Sequence, residues 1–265
     1  MDKQLLVICF LTFVIHLIGT LAFSVRIAGV RTKRIAVSLA LFSILVLVSR
    51  TSNTFLGPLL AKRVESNLGG TEDLLLDFRY LLLSSTLATV AGALLIPTFQ
   101  RLFSRAVLHF QIHRSVPKLI LHGFFKGGIH YLKDDVTAPK LSNVSAAQKG
   151  HGVSFSITAL NLASTALWTV GIFASLYAGA LDPSVRVTSS TLSSIINGGA
   201  TIAMAVFIDP HLSAMTDDVI EGKTGESQFR RAIVWLVGSR FAGTVLAQLL
   251  LVPASLLIVQ VARAI

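Results

Sequence analysis

Long apolar runs, at residues 4–26, 35–60, 76–99, 153–180, 190–208 and 232–261, are separated by short polar or basic stretches. Each run has about 20 or more predominantly apolar residues, enough for a helix to cross a hydrocarbon layer about 30 Å thick. The runs are continuous rather than alternating ten-residue pieces, so they predict helices and not barrel strands, and a helix satisfies its own backbone groups in lipid. The pattern predicts an all-α polytopic membrane protein: one transmembrane domain, residues 1–265, with about six spans. The segment 101–118 differs, because Arg101, Arg105, His109 and His113 recur every four residues beside a face of Leu102, Phe103, Ala106, Val107 and Phe110. That periodicity predicts an amphipathic helix lying along the membrane interface. Gly127-Gly128 and Pro139 interrupt the chain beyond it, and Leu119–Phe125 suggests a re-entrant element.

Polar residues recur at helical spacing within every span except the third. Span one carries Thr12, His16, Thr20 and Ser24; span two Ser43, Arg50, Asn53 and Gly57; span four Ser154, Thr158, Asn161 and Thr165; span five Ser193, Asn197 and Thr201; span six Arg240, Thr244 and Gln248. Each set occupies one helix face. Turned inward, the stripes would line a polar, cationic cavity. The competing reading is that hydroxyls and glycines simply let helices pack and bond across their interfaces, and it is preferred for Thr12, Ser154 or Thr201 alone. It does not suffice for Arg50 and Arg240, because an arginine near mid-span costs about 2.5–3.5 kcal/mol on insertion scales and faces protein or water. Counted along the helices, Arg50 lies about 20 Å and Arg240 about 10 Å from the cytoplasmic start, with Arg26 lower still. An anionic headgroup would meet Arg26 and Arg240 first and Arg50 later, unless Asp209 or Asp77 neutralises one of them as a buried pair. For His16, near the midplane, a hydrogen bond to a neighbour is preferred over proton sensing.

Composition agrees with the pattern: 53% hydrophobic and 14% charged residues, with a mean hydropathy of +0.73, exceed what a soluble domain carries. The net charge of +10 concentrates after span one (Arg26, Arg31, Lys33, Arg34) and in the basic loop 100–152, which places both in the cytoplasm and both termini outside. The acidic 209–231 stretch, softened by Lys223, Arg230 and Arg231, then also falls inside. This charge is ascribed to topology and anionic membrane lipids, not to nucleic acid. The first run is longer than the apolar core of a signal peptide and lacks an A-x-A site, so it is read as a retained helix. Cys9, the single cysteine, rules out an intrachain disulfide or a cysteine-built metal site.

Enzyme motifs are thin. Gly222-Lys223-Thr224 resembles the tail of a phosphate-binding loop, but Asp217 stands where the first glycine belongs. His109 and His113 lack the adjacent glutamate of a zinc protease, there is no G-x-S-x-G, and the sequon at Asn143 falls in a cytoplasmic loop. No cofactor or metal is expected.

The segment Arg26–Asn53, RIAGVRTKRIAVSLALFSILVLVSRTSN, closely resembles the Amj family, the bacterial lipid II flippases described as the alternate to MurJ. Val206–Lys223, VFIDPHLSAMTDDVIEGK, and Val237–Pro253, VGSRFAGTVLAQLLLVP, are similar to the family's D-P and T-D-D segment and its last helix. The resemblance implies a multi-pass protein of the bacterial cytoplasmic membrane that moves lipid II, undecaprenyl-diphosphate-MurNAc-pentapeptide-GlcNAc, from the inner to the outer leaflet during peptidoglycan synthesis. Arginine forks suit a diphosphate, and hydroxyl and amide stripes suit sugars. The substrate-binding residues expected from the spans are therefore Arg50, Asn53, Arg240, Arg26, Thr244, Gln248, His16, Asn161 and Asn197. Gly57-Pro58, Pro97, Gly198-Gly199 and Pro253 are hinge candidates for alternating access, against the plainer reading of helix ends and close packing. Two other classes stay open: an intramembrane enzyme acting on a polyprenyl diphosphate, and a non-transporting scaffold of the cell-wall machinery. Homo-oligomerisation is compatible with the sequence and undecided by it.

Overall fold

The computed structural model describes residues 2–66, 70–113, 136–139 and 152–265, and no strand occurs among them. The expected re-entrant element at 119–125 and the Asn143 sequon lie outside the described residues, as do residues 114–118 of the expected interfacial helix. Six rods are long and apolar enough to cross a membrane: α1 (Lys3–Thr32), α2 (Ile35–Glu65), α3 (Thr71–His113), α4 (Phe155–Leu181), a rod formed by α5 (Arg186–Ala203) and α6 (Asp209–Ile220), and α7 (Glu226–Ala264).

Local chemistry sets the rod ends. Asp2 caps α1 by accepting from Leu5 N at 2.8 Å, and Ser154 caps α4 by accepting from Ile157 N. At the far end of α1 Lys33 takes a left-handed turn, φ 54°, while Arg34 N donates to Gly29 O at 3.0 Å, closing the last turn in the manner usual after a helix C-terminus. Between α5 and α6 the chain does not stop. Met204–Ile208 widens into a π-helical turn, because Pro210 has no N–H and its ring crowds the carbonyl of Val206.

Several boundaries differ from the sequence reading. α1 runs past residue 26 to Thr32, so Arg26 and Arg31 sit on a helix and not in a turn. Residues 101–113 are no separate interfacial helix, since they continue α3 without interruption as part of 43 residues, about 60 Å of helix. Pro97 lies inside α3, and nothing between it and residue 113 supplies a turn. Most of the expected 209–231 loop is helical, with only residues 221–225 joining α6 to α7.

The rods form two sets of three. α1 packs along α2 and α3, α4 packs in the same manner along the α5–α6 rod and α7, and α3 against α7 closes one set on the other. Both sets have one end in common, where α1 starts and α7 finishes, fastened by ion pairs. Arg63 of α2 bonds Asp77 of α3 at 2.8 Å and also Asp2, while Arg263 of α7 bonds Asp182, after α4, at 2.6 Å. The Leu5 N–H and Arg63 hold the Asp2 carboxyl below the usual carboxylate range, and Ser184 and Arg263 do the same for Asp182. Below this terminal end lies an apolar cluster centred on Leu74, Phe78, Leu81, Phe173 and Tyr177. At the opposite, basic end a second cluster joins Phe23 and Ile27 of α1 to Leu212 of α6 and Phe229 and Ile233 of α7.

The polar stripes meet at mid-height, but as a closed seam and not as the cavity their pattern suggested. Thr12, Thr20, Ser85, Thr89, Thr169 and Ser255 each donate to the carbonyl four residues earlier in their own helix, so their polarity is satisfied without water. Glycines then allow contact: a Cβ added at Gly92 would stand 2.7 Å from Thr20 Cβ, and one at Gly243 only 2.6 Å from Leu162 O. Such close approach is how helices associate in lipid, where apolar burial between them gains little. Gly243→Val is therefore expected to lower the melting temperature of the detergent-purified protein by the equivalent of about 1–3 kcal/mol. Gly238→Val, on the same helix with nothing within 4 Å, should leave it nearly unchanged.

Candidate functional site

Arg240 of α7 is the centre of the seam. It is 8% exposed, its Nε donates to Thr20 Oγ1 at 3.3 Å, and its guanidinium lies on Gly19, whose missing side chain makes the space. Thr20 in turn donates to His16 O at 2.9 Å. Among the described residues no carboxylate reaches ion-pair distance of Arg240. A charge buried this way is costly unless something later neutralises it.

Other expected residues fall into three groups. His16, buried with its ring 5.2 Å from that of Trp168 and Nδ1 without a hydrogen-bond partner, shares the seam with Arg240. So does Asn161, whose Nδ2 donates to Leu236 O at 2.9 Å and Ser239 Oγ at 2.8 Å, tying α4 to α7. Thr244, fully buried one turn along α7, bonds Phe241 O. A second group lies at separate interfaces: Asn197 of α5 packs on Gly171 of α4 with its Oδ1 unpartnered, and Gln248 of α7 reaches Arg79 O of α3 at 3.5 Å. Arg26 points to α6, where Nη2 meets Asp209 Oδ1 at 2.9 Å and Nη1 meets Ser213 Oγ at 3.2 Å. The third group is Arg50 and Asn53, both exposed. Residues 42–51 of α2 include no buried position; Phe42 and Leu45 are half-buried against Phe103 of α3, and exposed Arg50 is not brought to Arg240.

Directly beneath the seam a cavity of about 350 Å³ opens between α1, α3 and α7. Ile27, Ile96, Ile233 and Val237 form its throat, and Arg31, Arg101 and Arg230 stand at its mouth. Thr137–Pro139 closes one flank, held down by Thr98 Oγ1, which accepts from Thr137 N at 3.1 Å. Ile27 is two turns from Thr20 and Ile233 two turns from Arg240, so the Arg240–Thr20 contact lies about 10 Å deeper than that level, and Val237, one turn short of Arg240, is the lining residue nearest to it along α7. Among the described residues, Arg230 of the trio pairs with Glu226 at 2.9 Å. Three guanidinium groups over an apolar throat suit a ligand with a multiply charged head and a greasy neighbour. Sequence reasoning passed over this trio because each member, taken singly, is an ordinary topology-setting charge at a helix end. The one available signal was that Arg31, Arg101 and Arg230 lie at the same level of three different spans.

Replacing Arg240 by methionine, similar in length and uncharged, removes the unpaired charge. The melting temperature of Arg240→Met in detergent is expected to equal or exceed that of the wild type. A fall of several degrees would identify the guanidinium as a structural strut.

The chain matches the family described as "Amj: Alternate to MurJ" over residues 11–262. It is similar to a Bacillus subtilis (strain 168) protein named "Lipid II flippase Amj", 36% identical over 259 residues, covering 96% of this chain and 94% of that one. No solved structure matches it.

Proposed function

Because the chain belongs to the Amj family, the alternate to MurJ, we propose that it is a lipid II flippase of the bacterial cytoplasmic membrane, carrying the diphosphate-linked headgroup outward through the cavity between α1, α3 and α7. It acts as a transporter and not as an enzyme. The observation that carries the site is the trio Arg31, Arg101 and Arg230 around an apolar throat whose deepest α7 residue, Val237, is one turn short of buried Arg240. By the positive-inside rule the basic end faces the cytoplasm, where the substrate is made.

Guanidinium forks hold phosphate oxygens in pairs and stay charged when partly desolvated, so the mouth trio receives the diphosphate from the inner leaflet. Arg240, short of a counterion, offers the next position deeper in the membrane. Meeting the diphosphate there relieves its unpaired charge, and Thr20, His16, Asn161 and Thr244 of the same seam offer hydrogen bonds to the sugars once the helices part. The prenyl chain never needs to leave lipid. An apolar groove of about 220 Å³ between α2 and α3, walled by Leu41, Leu45, Phe99 and Phe103, suits it. Outward movement of the anionic head is favoured by an inside-negative potential at about 2.3 kcal/mol per charge per 100 mV.

The test is lipid II accessibility at the outer leaflet in cells that depend on this chain. Wild type is expected to expose lipid II; failure to do so would refute the function. The triple variant Arg31→Ala, Arg101→Ala, Arg230→Ala and the single Arg240→Met are each expected to lower translocation at least tenfold at equal membrane abundance, whereas Arg50→Ala stays within twofold. Normal translocation by the triple variant would remove the cavity from the path.

A further inference from the structure

The two three-helix sets are one construction used twice. In each, the last turn of the first helix carries a buried glycine, Gly29 in α1 and Gly179 in α4, that receives the opening residue of the following helix. An added Cβ would stand 3.1 Å from the Cα of Ile35 in the first set and 3.1 Å from the Cα of Arg186 in the second. Three residues beyond that opening residue comes a fully buried serine, Ser38 and Ser189, and three further a buried leucine, Leu41 and Leu192. Phe23, Ala28 and Gly29 of α1 fall in register with Phe173, Ala178 and Gly179 of α4, all buried. The third helices carry matching interior prolines: AGALLIP ends at Pro97 in α3, and AQLLLVP ends at Pro253 in α7. α1 starts at the terminal end and α4 finishes there, so the copies run in opposite senses, the inverted-repeat arrangement found in many transporters.

The cavity breaks this symmetry. It belongs to α1, α3 and α7 at the basic end, and the same registers applied to the other copy place its counterpart between α4, α7 and α3 at the terminal end. Ile27 corresponds to Tyr177, Pro97 to Pro253 and Val234 to Phe78. There the structure is shut. Phe78 is 1% exposed and Tyr177 5%, the Phe78 ring lies 6.1 Å from that of Tyr177 and 6.0 Å from that of Phe173, and the Asp182–Arg263 pair spans α4 and α7 above them.

We propose that this second, latent cavity is the headgroup release site on the outer side: the halves exchange conformations, the Phe78–Tyr177 plug parts between α3, α4 and α7, and the diphosphate-linked head leaves there. The inference rests on the flippase reading of the basic-end cavity. It adds a chemical asymmetry, because the three mouth arginines Arg31, Arg101 and Arg230 correspond to Leu181, Leu257 and Leu74. The head is gripped by three arginines where it enters; where it leaves, leucines stand at those positions and the nearby Arg263 is already paired with Asp182. This difference speeds dissociation outside without setting the direction of net transport, which a potential or consumption of the product supplies.

The experiment starts from a Cys9→Ser chain, which has no other cysteine. In intact cells, a membrane-impermeant maleimide added outside is expected to label Leu74→Cys, 1% exposed in the present structure, over minutes. In a second variant that adds Asp182→Cys and Arg263→Cys, joining those two with a short reducible crosslinker is expected to abolish Leu74→Cys labelling and to lower lipid II exposure at least tenfold, with both restored by reductant. Absence of Leu74→Cys labelling in the unlinked chain, or undiminished lipid II exposure in the linked one, overturns the proposal. The flippase reading fails separately, if the unlinked Cys9→Ser chain exposes no lipid II, and labelling of Leu74→Cys then still reports whether the terminal end opens.

Discussion

A buried guanidinium with no carboxylate at ion-pair distance among the described residues is the constraint around which the rest is arranged. Arg240 has one long hydrogen bond to Thr20 and a glycine surface beneath it, which does not offset a desolvation cost of about 2.5–3.5 kcal/mol on insertion scales. The cost is bearable because the neighbouring helices present hydroxyls and an imidazole in place of acyl chains. A carboxylate beside Arg240 would have made the resting state more comfortable and the site useless, since an anionic substrate would then compete with a permanent counterion. The contrast with Arg26 is instructive, because that arginine has Asp209 at 2.9 Å and serves to fasten α1 to α6.

How tightly the seam closes depends on where the polarity of its hydroxyls goes. Threonines and serines that bond back to their own helix present methyl and methylene surface to the partner helix, so Gly92 and Gly243 can bring helix backbones together around them. The same contacts are reversible. None of them is a hydrophobic core in the aqueous sense, and van der Waals packing between helices competes with lipid of similar polarity. A bundle built this way can part along a seam without exposing a large apolar area to water, which suits a path that must open and shut.

The six spans were legible because run length and continuity are properties of the chain alone. That Arg240 lies inside a span was legible for the same reason, although α7 begins at Glu226, which sets it about 20 Å from the helix start and not about 10 Å. Its neighbours were not, and Arg50 shows why: sequence gives position along a helix but not the azimuth of that helix in the bundle, and residues 42–51 of α2 include no fully buried position, with Arg50 on the exposed side. The length of α3 was hidden by Pro97, which reads as a terminator by aqueous rules yet lies inside the helix. Arg31, Arg101 and Arg230 were hidden in another way, since a charge at the end of a span has a sufficient explanation in topology and only tertiary structure shows three such charges around one opening.

The duplication gives these scattered facts a common cause. A three-helix unit inserted in both orientations gives two equivalent openings on opposite faces of one membrane, and packing of α3 against α7 lets the two be coupled. Charge then differentiates them. Under the positive-inside rule a basic end faces the cytoplasm, so the bias that orients the chain in the membrane also makes one opening cationic, while leucine stands at the three corresponding positions of the other. Topology and substrate affinity need not have been selected separately on the proposed path: the arginines that hold the helix ends inside would be the ones that meet a diphosphate.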